Sequence, residues 1–197
     1  MDKTTKATDE MLVARYAQGE NEAFDILLDR HKERLYTYIY YNVRNTEQAE
    51  DIFQETFAKA IVTIQQGRYS ESGKFLAWLT RIAHNLIIDY FRQEKQECLV
   101  SCDEEERNLQ NSLQFSEGTI ESQIIGHQIL SDVRRLVKFL PDDQREVVYM
   151  RYYQGLSFKE IADITGVSIN TSLGRMRYAI LNLRRMTEKY DIVLTTD

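Results

Sequence analysis

The chain of 197 residues has one proline, eight glycines and two cysteines. So little proline and glycine leaves few of the tight turns that short strands need, which favours helices before any pattern is read. The cysteines, Cys98 and Cys102, cannot form a disulfide framework. No run of about 18 apolar residues occurs, so no membrane span is expected. The opening MDKTTKATDE lacks the apolar stretch of a secretory leader, and a cytoplasmic location is the expectation. Positive charge is also short. A formal net charge of −6 argues against a protein that coats nucleic acid without selectivity.

What is present suits a folded chain: 43% hydrophobic and 28% charged residues, in a length that holds one large domain or two small ones. The charge is uneven, with a net of −3 over residues 1–97, −5 over 98–131 and +2 over 132–197. A DNA-binding patch is therefore sought at the C-terminal end.

Apolar spacing predicts a short helix from Asp9 to Tyr16, capped by Thr8 and closed by Gly19. A stripe at Phe24, Leu27, Leu28, Leu35, Tyr38 and Ile39 predicts a helix from Asn21 to about Val43. After the break at Asn45-Thr46, Ala49, Ile52, Phe53, Thr56, Phe57, Ala60, Ile61 and Ile64 mark another. Beyond a polar loop from Gly67 to Gly73, a third long helix carries Phe75, Trp78, Leu79, Ile82, Leu86 and Tyr90 inward. From about Gln93 to Gly118 the sequence turns acidic and loses its period, as a tether does. A helix from about Ile120 to Phe139 ends at Leu140-Pro141, residues 142–153 form the next, and two shorter ones follow before a loose tail after Tyr190. The predicted fold is all-α: two small helical domains, residues 1–95 and 119–190, joined by a flexible acidic linker over 96–118.

The sharpest motif lies in LSFKEIADITGVSINTSLGRMRYAILNLRR, which begins at Leu156. Ser157 and Glu160 form a capping box that sets the start of a helix. Ala162 is small enough for a second helix to cross close by, Gly166 supplies the turn, Val167 plugs the angle and Ser168 caps the second helix. This is the helix-turn-helix order, with a recognition helix presented to a major groove. Ser168, Asn170, Thr171, Ser172, Arg175 and Arg177 are the candidate readers of duplex DNA, the hydroxyls and amide suiting base edges and the arginines guanine or phosphate. Gly174 inside that helix costs about 1 kcal/mol relative to alanine.

In the N-terminal half, Glu47, Glu50, Asp51, Gln54 and Glu55 lie opposite their helix's apolar stripe. On the next long helix Arg81, Asn85, Ile88 and Arg92 share the face away from the core, beside a loop carrying Tyr69 and Lys74. Cations, an amide and an aromatic loop suit a single DNA strand, whose phosphates and unstacked bases they hold. Trp78, within the apolar stripe, is read as core.

Together these segments resemble the extracytoplasmic-function class of bacterial sigma factors. QAEDIFQETFAKA looks like the family's polymerase-binding helix, FLAWLTRIAHNLIIDYFR like its promoter-melting and −10-reading helix, and LPDDQREVVYMRYYQGLSFKEIADITGVSINT like its −35-reading domain. The resemblance implies that Glu50, Asp51, Gln54 and Glu55 dock on the clamp helices of the largest subunit of RNA polymerase. It implies a second contact with the flap of the second-largest subunit. Tyr69, Lys74, Arg81, Asn85 and Arg92 would take the −10 strand, and the recognition helix would read the −35 duplex. The linker would run toward the RNA exit path, and an anti-sigma factor is an expected partner. Relatives commonly carry Val or Ile at the place of Ser172, a basic residue at Leu173 and a polar one at Gly174.

The alternative is a conventional helix-turn-helix regulator that is not a polymerase subunit, which leaves the acidic helix and WLTRIAHN unexplained. His31, His84 and His127 show no HExxH spacing, and neither GxxxxGK[ST] nor GxSxG occurs. No enzymatic activity, cofactor or metal is expected, and the CxxxC pair of Cys98 and Cys102 is read as two incidental thiols.

Overall fold

The structure, a computed structural model, describes residues 7–70, 73–101 and 135–189. Among these residues it is helical, without strands. Four helices build the N-terminal half: α1 (Asp9–Ala17), α2 (Asn21–Val43), α3 (Thr46–Gln65) and α4 (Phe75–Ser101). The C-terminal half holds α5 (Asp142–Val148), a π-helical turn (Tyr149–Tyr153), α6 (Phe158–Thr165) and α7 (Ile169–Lys189).

Local chemistry sets these boundaries. Thr8 accepts a hydrogen bond from the Met11 amide and starts α1, and Asn45 accepts one from Gln48 to start α3. Between α2 and α3 the chain turns through Arg44, a non-glycine residue at φ 58°, whose amide bonds to the Tyr40 carbonyl. The Asp9 carboxylate pairs with both Arg30 and His31, pinning the start of α1 to α2. Burial pushes the His31 imidazole below its ordinary value, against the pull of Asp9.

The N-terminal core takes Leu27, Leu35 and Ile39 of α2, Ala49, Phe57 and Ile64 of α3, and Phe75 and Leu79 of α4 from the predicted stripes, and adds Leu12, Tyr16 and Ala83, whereas Leu28, Phe53, Ile61, Ile82 and Tyr90 of those stripes are only partly buried. Each large side chain here is worth roughly 1.5–3 kcal/mol of transfer free energy. The helix expected to end near Arg92 runs on to Ser101. QEKQECLVS contains neither Gly nor Pro, and Gln, Glu and Lys sustain a helix on propensity after the core contacts stop. Cys98 thus lies on α4. Cys102, most of the predicted linker, the helix from Ile120 through Arg134 and the tail after Tyr190 lie outside the described residues.

In the C-terminal half the helix expected over 142–153 is interrupted. After α5 the backbone widens by one residue per turn, with the Gln154 amide bonding to the Tyr149 carbonyl at 3.2 Å, before Gly155 (φ 72°) ends it. A π-turn inserts an extra residue without breaking the helix and commonly marks a functional position. Here it turns Tyr149 fully inward, and burial pushes its phenol up.

The two halves are docked on one another. Tyr41 of α2 stacks on Tyr149 with ring centroids 4.3 Å apart. Glu146 of α5 enters a polar hole in the N-terminal half, where its Oε1 accepts from the Tyr38 hydroxyl at 2.8 Å and lies 2.9 Å from His84 Nδ1. Burial raises the Tyr38 phenol well above its ordinary range, and the neighbouring Glu146 charge adds to the shift. Arg44 donates to the Lys138 carbonyl at 3.0 Å.

Candidate nucleic-acid interface

The helix-turn-helix forms as its residues dictate. Ser157 Oγ accepts from the Glu160 amide at 3.3 Å, and Glu160 Oε2 accepts from the Ser157 amide at 2.8 Å, which completes the capping box. Gly166 sits at φ 68°, a conformation that costs glycine nothing. Val167 is half-buried in the angle, and its amide bonds to the Ala162 carbonyl at 3.2 Å. Ser168 caps α7, its hydroxyl accepting from the Thr171 amide at 3.0 Å and lying 2.8 Å from the Thr171 hydroxyl.

The facing of α7 corrects one expectation. Ser172 was expected at the surface, yet it is 0% exposed and its hydroxyl finds no hydrogen-bond partner among the described residues. With Met176 and Ala179 it makes the buried side of α7, so it cannot touch a base. At 3.6 residues per turn the opposite side carries Asn170, Gly174, Arg177 and Tyr178. Tyr178 is 62% exposed, and no motif in the sequence marks it. Arg175 lies on the flank, with its Nε 3.3 Å from Asp143 Oδ2. Beside Arg177, Phe158, Leu173, Met176, Ile180 and Leu181 line an apolar groove of about 360 Å³.

In the N-terminal half, Glu50, Asp51, Gln54 and Glu55 are all exposed on one side of α3, as expected, and only Glu55 is held, by Lys59 one turn on at 3.0 Å. On α4, Arg81, Asn85, Ile88 and Arg92 are exposed together, with Arg92 3.0 Å from Asp89.

Two cavities open on this face and share Arg68 and Trp78. One, of about 360 Å³, is lined by Tyr69, Lys74, Arg81, Glu160 and Asp163. The other, of about 510 Å³, lies between α3 and α4 and reaches Lys59, Ile82, Asn85 and Asp89. Trp78, read as core, is only partly buried. Its ring packs on Tyr69 with centroids 4.2 Å apart and forms the wall between the two cavities. The tryptophan sits at the rim of the apolar stripe, a position that helical spacing alone does not separate from its centre. The arrangement therefore joins Tyr69, Lys74 and Arg81 to Asn85 through a shared aromatic wall.

The first cavity is closed on one side by the helix-turn-helix itself. Glu160 Oε1 lies 3.1 Å from Lys74 Nζ, and Arg81 Nη2 donates to the Asp163 carbonyl at 2.8 Å. Glu146, Tyr38 and His84 hold the halves together; Tyr38 lies on the predicted α2 stripe and the other two within the family segments, but no spacing in the sequence points to their contact. Among the described residues no group of histidine, cysteine and carboxylate side chains could hold a metal ion, and no helix is long and apolar enough to cross a membrane.

Comparison with known proteins identifies both halves. Residues 27–97 match the family model for Sigma-70 region 2, and residues 130–172 match that for Sigma-70 region 4. The chain is 29% identical over 178 residues to the ECF RNA polymerase sigma factor SigW of Bacillus subtilis, covering 88% of this chain and 93% of SigW. It is 35% identical over 162 residues to the ECF RNA polymerase sigma factor BldN of Streptomyces coelicolor, covering 79% of this chain and 56% of BldN. Among solved structures, the fold is shared with the sigma factor RpoE of Bartonella quintana in complex with the anti-sigma factor NepR. That match has a TM-score of 0.64 at 22% identity, over 84% of this chain and 96% of RpoE. The two sigma-70 regions stand in order, with the acidic helix and the cavity face in the first, and α6, the turn and the start of α7 in the second. The chain belongs to the sigma-70 family and is an alternative sigma factor of the extracytoplasmic-function class.

Proposed function

We propose that this sigma factor works through three surfaces of one chain. The exposed acidic side of α3, with Glu50, Asp51, Gln54 and Glu55, docks on the clamp helices of the polymerase's largest subunit, and the C-terminal half meets the flap of the second-largest. The cavity face of α4 takes the −10 strand: Lys74, Arg81 and Arg92 hold phosphates, Tyr69 stacks, and Asn85 reads an unstacked base. The outward side of α7, with Asn170 and Arg177, reads the −35 duplex, while Ser168 and Thr171 shape its first turn and Arg175 reaches in from the flank.

The observation that carries this reading is the pair of cavities joined at Trp78. A half-exposed aromatic wall with cations at one end and an amide at the other has the chemistry of a single-strand site, in which bases stack on rings and arginine and lysine follow the backbone. Residues 1–95 and 119–190 would then be the polymerase- and duplex-binding domains, with 96–118 between them. The protein acts in the cytoplasm with polymerase, without chemistry of its own, and is held in check by an anti-sigma factor, as RpoE is bound by NepR in its co-crystal structure.

Replacing Asp51 and Glu55 with lysine tests the docking surface. Both are solvent-exposed, so helix content by circular dichroism should not change. Capture of core polymerase should fall by two orders of magnitude or more, as expected when like charges replace complementary ones across an interface. Capture at wild-type strength by the doubly substituted protein would remove α3 from the docking surface.

A further inference from the structure

Two cations of the single-strand site are already occupied by another part of the same chain. Lys74 Nζ lies 3.1 Å from Glu160, and Arg81 donates to the Asp163 carbonyl at 2.8 Å. Both acceptors belong to α6, the first helix of the helix-turn-helix, and Asp163 and Ile164 form part of the cavity wall. We propose that the chain masks its own strand-reading site: α6 stands in for promoter phosphates on Lys74 and Arg81, and Glu146, inserted between Tyr38 and His84, is the latch that keeps it there.

The division between mask and latch follows from burial. The side chain of Lys74 is 53% exposed, so its pair with Glu160 is screened and contributes little. A DNA strand can therefore displace that pair once the halves separate. Glu146 differs. Its side chain is 15% exposed and that of His84 12%, and the carboxylate has both His84 and the buried Tyr38 hydroxyl within 2.9 Å. The Tyr38 hydroxyl and His84 Nδ1 also lie 3.1 Å from each other, so the three groups form one largely desolvated network from which withdrawing the carboxylate is costly. Tyr41 on Tyr149 and Arg44 on the Lys138 carbonyl extend the same seam away from the cavity. None of these seam residues lines either cavity, so the latch can be changed without replacing a residue of the site it covers.

Masking of this kind lowers apparent affinity by the fraction of chains that are open. If roughly one chain in ten is open, opening all of them tightens strand binding about tenfold. The proposal rests on the strand-reading assignment made above, and the test separates the two.

Full-length wild type and Glu146→Arg would be compared by small-angle X-ray scattering and by anisotropy with a short fluorescein-labelled single DNA strand of mixed sequence. Arg44→Ala provides a milder second break of the seam, and circular dichroism checks helix content. The wild type should be compact. Both variants should have a larger radius of gyration and bind the strand more tightly, Glu146→Arg by about tenfold. Adding Arg81→Ala to Glu146→Arg should then remove most of the gain. An already extended wild type, variants that remain compact, or opened variants that bind no more tightly would each overturn the masking proposal. An opened variant that binds more tightly and keeps its full affinity without Arg81 would instead overturn the strand-reading assignment.

Discussion

The two surfaces assigned to DNA stand in opposite states. On α4, Lys74 and Arg81 are taken up by α6 and one side of their cavity is closed. On α7, Asn170, Arg177 and Tyr178 face outward, and Arg175, on the flank, is paired with Asp143. The difference tracks what each surface must meet. A duplex is always present and needs only an exposed helix, whereas single-stranded DNA appears after melting, so the site for it can stay covered until then. The acidic side of α3 is left uncovered as well, so the docking proposed for it is open to the closed chain.

The largest effect expected from this comparison comes from Asn85→Ala. Asn85 lines the cavity between α3 and α4 that α6 does not wall, so its loss should act on the captured base and not on closure. A lost base contact costs about 1–3 kcal/mol, or roughly 5- to 150-fold in open-complex formation. Permanganate footprinting on matched duplex and premelted promoters should show partial rescue by premelting. Arg177→Ala should weaken promoter capture with little such rescue. Rescue of Arg177→Ala and not of Asn85→Ala would mean that the two surfaces are assigned the wrong way round.

A smaller effect is expected on the open surface, at Gly174. An added Cβ there meets no atom within 4 Å, and the residue's φ is that of an ordinary helix. Neither backbone conformation nor packing within the protein calls for glycine, yet glycine in a helix interior costs about 0.8–1 kcal/mol relative to alanine. The residue sits between Asn170 and Arg177 on the outward side, where a duplex would approach. Gly174→Ala should raise the thermal midpoint while weakening promoter-duplex binding several-fold. Stabilisation with unchanged duplex affinity would show that the outward side of α7 tolerates a methyl group and does not approach DNA closely.

These sites were legible in the sequence to different degrees, for physical reasons. Helix positions, caps and the helix-turn-helix follow from local rules that act within a few residues, as the Ser157–Glu160 box and the α2 boundaries at Asn21 and Val43 show. Ser172 was misplaced because its polarity suggested solvent. What decides its side is the close crossing of α6 and α7, which puts small residues inside whether polar or not. The π-turn at Tyr149 has no local signature, since Tyr-Met-Arg-Tyr-Tyr also suits a straight helix. Docking of the two halves was invisible for a different reason. Glu146 looks like any charged residue on a helix, and its partners Tyr38 and His84 lie 108 and 62 residues away.

The smallest expected effect concerns how charge holds the covered surface. Burial pushes the Glu160 carboxyl up, but hydrogen bonds from Ser157 and Lys74 outweigh burial and bring it below its ordinary value of 4.5. A carboxyl lowered in the folded, closed chain stabilises that state at any pH above the ordinary value. The contribution falls away as pH drops past about 4.5 and is gone once the lowered value is passed. Glu160→Gln separates charge from capping, because glutamine still serves the Ser157 box but carries no charge toward Lys74. At neutral pH the variant should be slightly less compact in solution scattering than wild type, by a margin that salt reduces, because Lys74 is half-exposed. That margin should hold between about pH 7 and 5, begin to shrink as pH falls past about 4.5 and vanish once the lowered value of Glu160 is passed and its carboxylate takes up a proton. A margin that persists unchanged at low pH would mean that the carboxylate shapes α6 without holding Lys74, leaving Arg81 and the Glu146 seam to keep the site covered.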